Sequence, residues 1–236
     1  MHLHTIDVGA GPRTAVLLHG MMGSGESWSV VTARLVDAGY RVLALDLPGH
    51  GDSPRDPAST VHRAADAVVE TVTGLLPSPP TVAIGHSYGG SILGLAAVRL
   101  QPSITVHVDA GTTVPGGYDR AELIAQYDAD RQLRTHEWLA VHRAYSGAAA
   151  IAAEARAAER FDPATAASIS TGADVRWEPA PGSIIVRAEP STWVSAEDAR
   201  LARSRGVEVR SIPGAAHTVW YSHPDEFFAA LPEVFG

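Results

Sequence analysis

The stretch Thr81–Arg99 reads TVAIGHSYGGSILGLAAVR and joins a short apolar run, a glycine-rich turn and a run of small and apolar residues at helical spacing. The first run predicts a buried strand and the last a helix. A strand that reverses at once into a helix forces its apex residue, Ser87, into a strained conformation, so the neighbours Gly85 and Gly89 must lack side chains. This is the G-x-S-x-G pattern of a nucleophile elbow, which lifts the serine hydroxyl beside a helix N-terminus.

The composition is that of a globular α/β protein. A chain of 236 residues with 45% hydrophobic residues suits one domain with a large core. The net charge of −8 and the scattered basic residues argue against nucleic acid or an anionic membrane as a partner. The absence of cysteine excludes disulfides and thiolate metal sites. No signal peptide and no apolar run of about 18 residues is visible, so a cytoplasmic protein is expected.

Strand and helix patterns alternate along most of the chain. Such alternation predicts a mostly parallel, doubly wound sheet with helices on both faces. The predicted strands cover residues 2–8, 14–18, 41–45, 81–84, 104–108, 183–187 and 207–211, the first at a sheet edge. The predicted helices of this core cover residues 27–38, 60–76, 91–99, 196–204 and 224–235.

Residues 112–181 have a different character. They contain almost no strand-like run, and alanine-rich helical patterns cover residues 120–127, 135–145, 148–158 and 163–170. We therefore expect a core made of residues 1–111 and 182–236, with residues 112–181 as a helical cap inserted over the carboxyl edge of the sheet.

A serine hydroxyl is a poor nucleophile until a base takes its proton, so a histidine must reach Ser87. Of the 11 histidines, His217 ends a loop of small residues, Pro213–His217, between the last predicted strand and the last predicted helix. That loop is expected at the carboxyl edge of the sheet, where Ser87 also lies. His19 and His86 flank backbone turns and are expected to pack or to form structural hydrogen bonds.

Four segments taken together resemble the α/β-hydrolase family. They are Leu18–Met21, Asp46–Ser53, Gly85–Gly90 and Pro213–His217, and their order and spacing are similar to those of esterases and C–C hydrolases with a helical cap. The resemblance covers nearly the whole chain. It implies the α/β-hydrolase fold and a reaction that uses no cofactor and no metal.

Acyl transfer also needs donors for the oxygen of the attacked carbonyl, on which negative charge develops. The backbone N–H of Tyr88, at the start of the helix, is expected to be one donor. The resemblance places the second at the backbone N–H of Met21. The side chains expected to line the substrate pocket are Met22, Trp138, Trp193 and Trp220.

The sequence departs from the family pattern at the acid that should orient His217. Most relatives have an aspartate after the strand equivalent to residues 183–187, and this chain has none there. Asp109, at the end of the preceding sheet strand, is one candidate, and Glu189, slightly early in the usual loop, is another. A third reading has no acid, with His217 oriented by a hydroxyl or a carbonyl group.

These observations predict a cofactor-free serine hydrolase that cleaves an ester, lactone or thioester of a small to medium, largely apolar substrate. Ser87 would form an acyl-enzyme, and His217 would act first as base and then as acid. A lyase or cofactor-free oxygenase that uses the same two residues to move protons is an alternative, and so is a ligand-binding member without turnover. The partner is expected to be a small molecule, and the oligomeric state is left open. The cap arginines could recognise a carboxylate on the substrate, but they are expected on solvated helix faces: Arg131, Arg134, Arg143 and Arg156.

Overall fold

The computed structural model describes all residues, Met1–Gly236. Its strands are β1 (Thr5–Val8), β2 (Arg13–Leu18), β3 (Tyr40–Leu45), β4 (Val82–His86), β5 (Ile104–Val108), β6 (Thr113–Val114), β7 (Val175–Arg176), β8 (Ile184–Glu189) and β9 (Glu208–Pro213). Seven of them form one sheet in the order β1-β3-β2-β4-β5-β8-β9. Every neighbouring pair is parallel except β1 on β3, so the predicted mostly parallel sheet is confirmed.

The helices are α1 (Ser29–Asp37), α2 (Val61–Leu75), α3 (Tyr88–Leu100), α4 (Arg120–Leu133), α5 (His136–His142), α6 (Ala148–Arg160), α7 (Pro163–Ser168), α8 (Ala196–Ser204), α9 (Val219–Ser222), α10 (Pro224–Ala229) and α11 (Pro232–Phe235). A short 3₁₀ turn, Gly25–Trp28, precedes α1. None of the helices combines the length and the hydrophobicity that crossing a bilayer requires.

Helices cover both faces of the sheet because successive strand residues point to opposite sides. In β2, Ala15 and Leu17 belong to a core that includes residues of α1 and of α9 to α11. Val16 and Leu18 belong to a second core, with residues of α2 and α3. With both faces buried, the carboxyl edge of the sheet is the place where side chains can meet a ligand.

The end of the chain differs from the prediction of one closing helix over residues 224–235. The structure has α10 and α11 there, with a break at Leu231, whose φ of −133° and ψ of 57° are not helical. Pro232 causes the break, because proline lacks the N–H for a helical bond and disfavours the helical conformation of the preceding residue.

We call residues 112–181, which lie between β5 and β8, the insertion. They contain α4 to α7 and also two short strands that were not predicted. β6 and β7 pair antiparallel, with Thr113 opposite Arg176 and Val114 opposite Val175. Each has only two residues, too few to show a strand period in the sequence. They join the two ends of the insertion side by side.

The insertion packs on the loops that follow β2 and β3. The Asp162 N–H donates to the Gly49 carbonyl at 2.8 Å, and Phe161 forms a small apolar cluster with Met22 and Ala166. The α4 to α7 segment is therefore anchored over the carboxyl edge of the sheet, beside the turn that follows β2.

Candidate active site

Ser87 occupies the tight turn between β4 and α3. Its φ of 51° and ψ of −119° place it in a conformation that side-chain-bearing residues rarely adopt. A Cβ on Gly85 would lie 2.5 Å from the Gly89 carbonyl oxygen, and a Cβ on Gly89 would lie 2.3 Å from that of Leu18. Both positions therefore admit only glycine, as the elbow pattern predicts. The Ser87 side chain does not cap α3, so its hydroxyl is not committed to the helix.

The His217 imidazole is bonded to a buried carboxylate. Its Nδ1 lies 2.7 Å from Asp109 Oδ2, and Asp109 is 1% exposed. The Asp109 Oδ1 accepts a hydrogen bond from the Ala188 N–H at 3.2 Å, and the Asp109 N–H donates to the Val186 carbonyl at 2.8 Å. Asp109 is thus fixed between the ends of β5 and β8, and it leaves Nε2 of His217 as the ring nitrogen available for a proton transfer.

Neither Glu189 nor a nearby hydroxyl group occupies the place beside His217 that Asp109 takes. Glu189 forms an ion pair with Arg187 at 3.2 Å, and its side chain is half exposed. The hydroxyl of Ser191 accepts the N–H groups of Trp193 and Val194 within its own turn. Of the three alternatives left open by the sequence, Asp109, Glu189 and no acid, only Asp109 forms a hydrogen bond with the His217 ring.

His86 connects the nucleophile strand to the loop of His217. Its Nε2 lies 3.0 Å from the His217 carbonyl oxygen, and the two rings are 4.6 Å apart. Burial lowers the pKa of His86 well below its usual value, with the charges of His217 and Arg143 acting in the same direction. His86 is therefore neutral, and because a carbonyl only accepts, Nε2 carries the hydrogen and donates it.

His19 plays the corresponding structural part in the turn after β2. Its Nε2 accepts the Leu47 N–H at 2.9 Å, so the hydrogen resides on Nδ1, which donates to the Gly20 carbonyl at 2.7 Å. Burial lowers the pKa of His19 and keeps the ring neutral. Both histidines form the structural hydrogen bonds expected from their places in the sequence.

The two predicted donors for a carbonyl oxygen are free. Neither the Met21 N–H nor the Tyr88 N–H donates a hydrogen bond within the chain. Backbone strain is concentrated around them. Four residues other than glycine have positive φ, and three are at this site: Met22 at 60°, Ser87 at 51° and Asp109 at 45°. Such clustering is typical of a site whose geometry is held in advance of reaction.

One cavity of about 230 Å³ is lined by both Ser87 and His217. Three of the predicted pocket residues, Met22, Trp193 and Trp220, also line it, as does Met21. The ring of Trp193 is 5.3 Å from that of His217, and Trp220 stacks on Trp28 at 4.0 Å. Aromatic and thioether surfaces therefore surround the nucleophile.

Trp138 does not belong to this cavity, which corrects its assignment to the pocket. Its indole stacks at 4.1 Å on His142, one helical turn later on α5. The buried residue of α5 is Leu139, so Trp138 and His142 share another side of the helix.

Charged residues of the insertion also line the cavity. Arg134 Nη2 lies 2.7 Å from Glu154 Oε2, and Arg143 Nη1 lies 3.0 Å from Glu154 Oε1. All three side chains face the same cavity as Ser87. Arg134 and Arg143 therefore line the cavity, and the expectation that they lie on solvated helix faces is wrong. Arg131 and Arg156 do form surface pairs, with the acidic residues Asp128 and Glu26.

The sequence does contain a signal for this cluster. The buried residues of α6 are Ala150, Ile151, Ala153, Glu154, Ala157 and Ala158. Glu154 thus sits within an otherwise apolar stripe, and a buried carboxylate requires a partner of opposite charge. Which arginines supply it depends on how α4, α5 and α6 meet, which local patterns do not encode.

The fold agrees with a comparison of the whole chain with known protein families. The model of the alpha/beta hydrolase family matches residues 15–230 of the chain. The chain belongs to the alpha/beta hydrolase family. The family and the fold expected from the four sequence segments are therefore confirmed.

Individual alpha/beta hydrolases match over shorter segments. Protein phosphatase methylesterase 1 of Mus musculus is 43% identical over 96 residues, which cover 38% of this chain and 25% of that protein. The sn-1-specific diacylglycerol lipase ABHD11 of Mus musculus is 32% identical over 118 residues, which cover 47% of this chain and 37% of that protein. The matches thus span about a quarter and somewhat over a third of these relatives' lengths.

Among solved structures, an esterase from Exiguobacterium antarcticum, EaEST, superposes with a TM-score of 0.75. The superposition covers 99% of this chain and 95% of the esterase at 16% sequence identity. At this identity the likeness concerns the fold.

Proposed function

We propose that this chain is a serine hydrolase that cleaves esters, including lactones and thioesters, through an acyl-enzyme on Ser87. The observation that carries the proposal is the hydrogen bond of 2.7 Å between Asp109 and His217, because His217 lines the same cavity as the strained Ser87. Nucleophile, base and orienting acid are the three parts that this chemistry needs.

In the first step, His217 Nε2 takes the proton of the Ser87 hydroxyl while Oγ attacks the ester carbonyl carbon. Asp109 accepts the Nδ1–H of His217, so it keeps the tautomer with a free Nε2 and stabilises the imidazolium that forms. The N–H groups of Met21 and Tyr88 donate to the oxygen that becomes negative, a contribution worth roughly 3 kcal/mol for each donor in comparable sites.

In the second step, the imidazolium of His217 returns its proton to the departing alkoxide or thiolate, and the carbonyl bond reforms as an ester of Ser87. A water molecule then attacks this ester while His217 takes one of its protons. The tetrahedral species collapses, Ser87 recovers its proton from His217, and the free acid leaves.

The names of the similar proteins support an ester as the substrate. A methylesterase, a lipase and an esterase are all named for cleavage of an ester bond. The elbow residue is serine, which forms an acyl-enzyme with a carbonyl substrate.

A fluorophosphonate probe tests the proposal directly, because it phosphonylates an activated serine. We expect one adduct on the wild-type chain by intact mass, and loss of that adduct together with hydrolysis of p-nitrophenyl butyrate in Ser87→Ala. Ser204→Ala, at the exposed end of α8, is the control and should retain both. Equal labelling of wild type and Ser87→Ala, or no labelling and no ester turnover in either, would overturn the proposal.

A further inference from the structure

Three helices of the insertion bring opposite charges to the cavity. Arg134 follows α4, Arg143 follows α5, and Glu154 belongs to α6. Each arginine contacts a different carboxylate oxygen of Glu154. We call these three side chains the roof, since the insertion carries them over the carboxyl edge of the sheet.

The roof has an uncompensated positive charge. Glu154 is the only acidic residue that lines the cavity, and it faces two arginines. The two arginines and Glu154 together carry one positive unit, and His19 and His86, whose pKa values are lowered by burial, add none. Ser87, two methionines and three aromatic residues supply no anion that could balance it.

The roof also has hydrogen-bond donors to spare. Each guanidinium has five N–H donors, and each uses a single nitrogen on Glu154. The Nε of Arg134 is buried without any partner in the chain. An unpaired buried donor is costly, and a ligand that accepts a hydrogen bond from this group relieves that cost.

Arg143 is the arginine better placed to meet a ligand. Its side chain is 28% exposed, against 15% for Arg134. Its charge reaches His86, the residue next to the nucleophile, where it contributes to the lowered pKa of that imidazole. The same guanidinium is therefore within electrostatic reach of the reacting centre.

We propose that the substrate is a small half-ester whose free carboxylate, at the end remote from the scissile bond, binds Arg143 with support from Arg134. This inference rests on the proposed ester hydrolysis and names the acyl group that it acts on. A carboxylate supplies the single negative charge that the lining lacks, and its planar pair of oxygens suits a guanidinium. A phosphate monoester would bring about two charges and match the excess less well. An acid with a short chain fits the cavity of about 230 Å³.

Two esters that differ only in charge test the inference. Monoethyl glutarate ends in a carboxylate, and ethyl glutaramate replaces it by a carboxamide of nearly the same shape. We expect the wild type to prefer the acid by roughly ten- to hundredfold in kcat/KM, the range of one or two charge-assisted hydrogen bonds. Release of ethanol, followed with a coupled alcohol dehydrogenase, measures both reactions.

Substitutions in the roof should remove this preference. In Arg143→Gln the ratio of kcat/KM between acid and amide should fall to about one, and Arg143→Lys should keep part of it because the charge persists. Arg156→Gln, which breaks only a surface pair on α6, is the matched control and should leave both reactions unchanged. Glutarate should slow fluorophosphonate labelling of the wild type and have no effect on Arg143→Gln, whose labelling also reports that the site is folded.

The outcomes separate the two proposals. Equal turnover of acid and amide by a wild-type chain that labels on Ser87 would overturn the carboxylate site and leave the hydrolase intact. A preference that survives in Arg143→Gln would do the same. Absence of labelling and of turnover of every ester would instead overturn the proposed hydrolase.

Discussion

The cavity has two sides that are built by different means. We call one side the floor: Ser87 and His217, which line the cavity, with the buried Asp109 behind His217 and the N–H groups of Met21 and Tyr88. The floor residues follow the ends of parallel strands, so backbone geometry and hydrogen bonds between strands determine their positions. The roof depends on side chains from three helices and on their ion pairs. The difference teaches that the proposed reaction depends on the sheet, whereas the proposed recognition of the substrate depends on the insertion.

The electrostatics of the two sides differ as well. Around the floor, buried histidines are held neutral by desolvation, which lowers the pKa of His50 to about 3 and places that of His86 well below its usual range. The roof is charged on every member. Neutral groups that donate or accept one hydrogen bond position the floor without competing with the charge that develops during catalysis.

The largest expected effect concerns the acid of the floor. Asp109→Asn should lower kcat by about 10⁴-fold, because the amide no longer selects the His217 tautomer with a free Nε2. Glu189→Gln is the matched control and should leave kcat unchanged. Rates of p-nitrophenyl butyrate hydrolysis in both variants provide the measurement. Small and equal effects of the two substitutions would mean that His217 is oriented by neither carboxylate.

The next effect tests whether the backbone determines the floor. Gly89→Ala should lower the free energy of unfolding by about 3 kcal/mol, because the new Cβ meets the Leu18 carbonyl oxygen and a main-chain contact cannot easily move. Gly74→Ala, on the exposed side of α2, should raise it by about 0.5 kcal/mol through helix propensity. Urea titrations would show the opposite signs. A Gly89→Ala chain as stable as the wild type contradicts the expected crowding.

The third effect concerns the roof. Glu154→Gln should lower the free energy of unfolding by about 2–3 kcal/mol, since it leaves two largely buried arginines facing each other without a counter-charge. Glu26→Gln breaks a more exposed pair with Arg156 and should cost less than about 1 kcal/mol. Thermal unfolding of the two variants at one pH compares them. Equal losses would indicate that the roof is solvated like a surface pair.

The smallest effect is a pH dependence of the free energy of unfolding, which arises from His107 in the strand next to the nucleophile strand. His107, in β5, has Nδ1 3.1 Å from the Gly90 carbonyl oxygen, and burial lowers its pKa to about 4 from an ordinary 6.5. Between these values the unfolded chain binds the proton more tightly, so stability is lost as the pH falls below 6.5, by about 2 kcal/mol at pH 5. His107→Asn keeps a donor for Gly90 and should flatten the pH dependence by that amount. An unchanged slope in urea titrations from pH 7 to 5 would contradict this assignment.

Much of the fold could be predicted because local sequence patterns determine its strands and helices. Apolar runs and glycine-rich turns located the strands, and α8 was predicted with its observed bounds. Within the insertion, the helix predicted over residues 120–127 continues to Leu133. Its last turns have few apolar residues, and the ion pair between Asp128 and Arg131 supports them instead. Such support depends on side-chain geometry, which hydrophobic periodicity does not report.

The site was predictable only in part, for a physical reason. Ser87 and the Tyr88 N–H belong to one turn that the motif identifies, whereas the Met21 N–H was expected only from the family resemblance. The partner of His217 is not local, because the loop after β9 must cross β8 before it reaches Asp109. The roof is harder to predict from the sequence. Its three side chains come from three helices, and no single segment specifies how those helices pack. Sequence patterns thus identify the functional residues at each strand end but do not determine which of them pair over long distances in the chain.

The pairing of β6 with β7 has a consequence beyond the stability of that small sheet. The chain leaves the hydrolase core and re-enters it at neighbouring points, so the segment between them is attached by one narrow neck. A segment attached in this way can be lengthened, shortened or exchanged as a unit while the strands on either side keep their register. Divergence of specificity among alpha/beta hydrolases with this arrangement would then require only a different insertion between the same two strands, with the core unchanged.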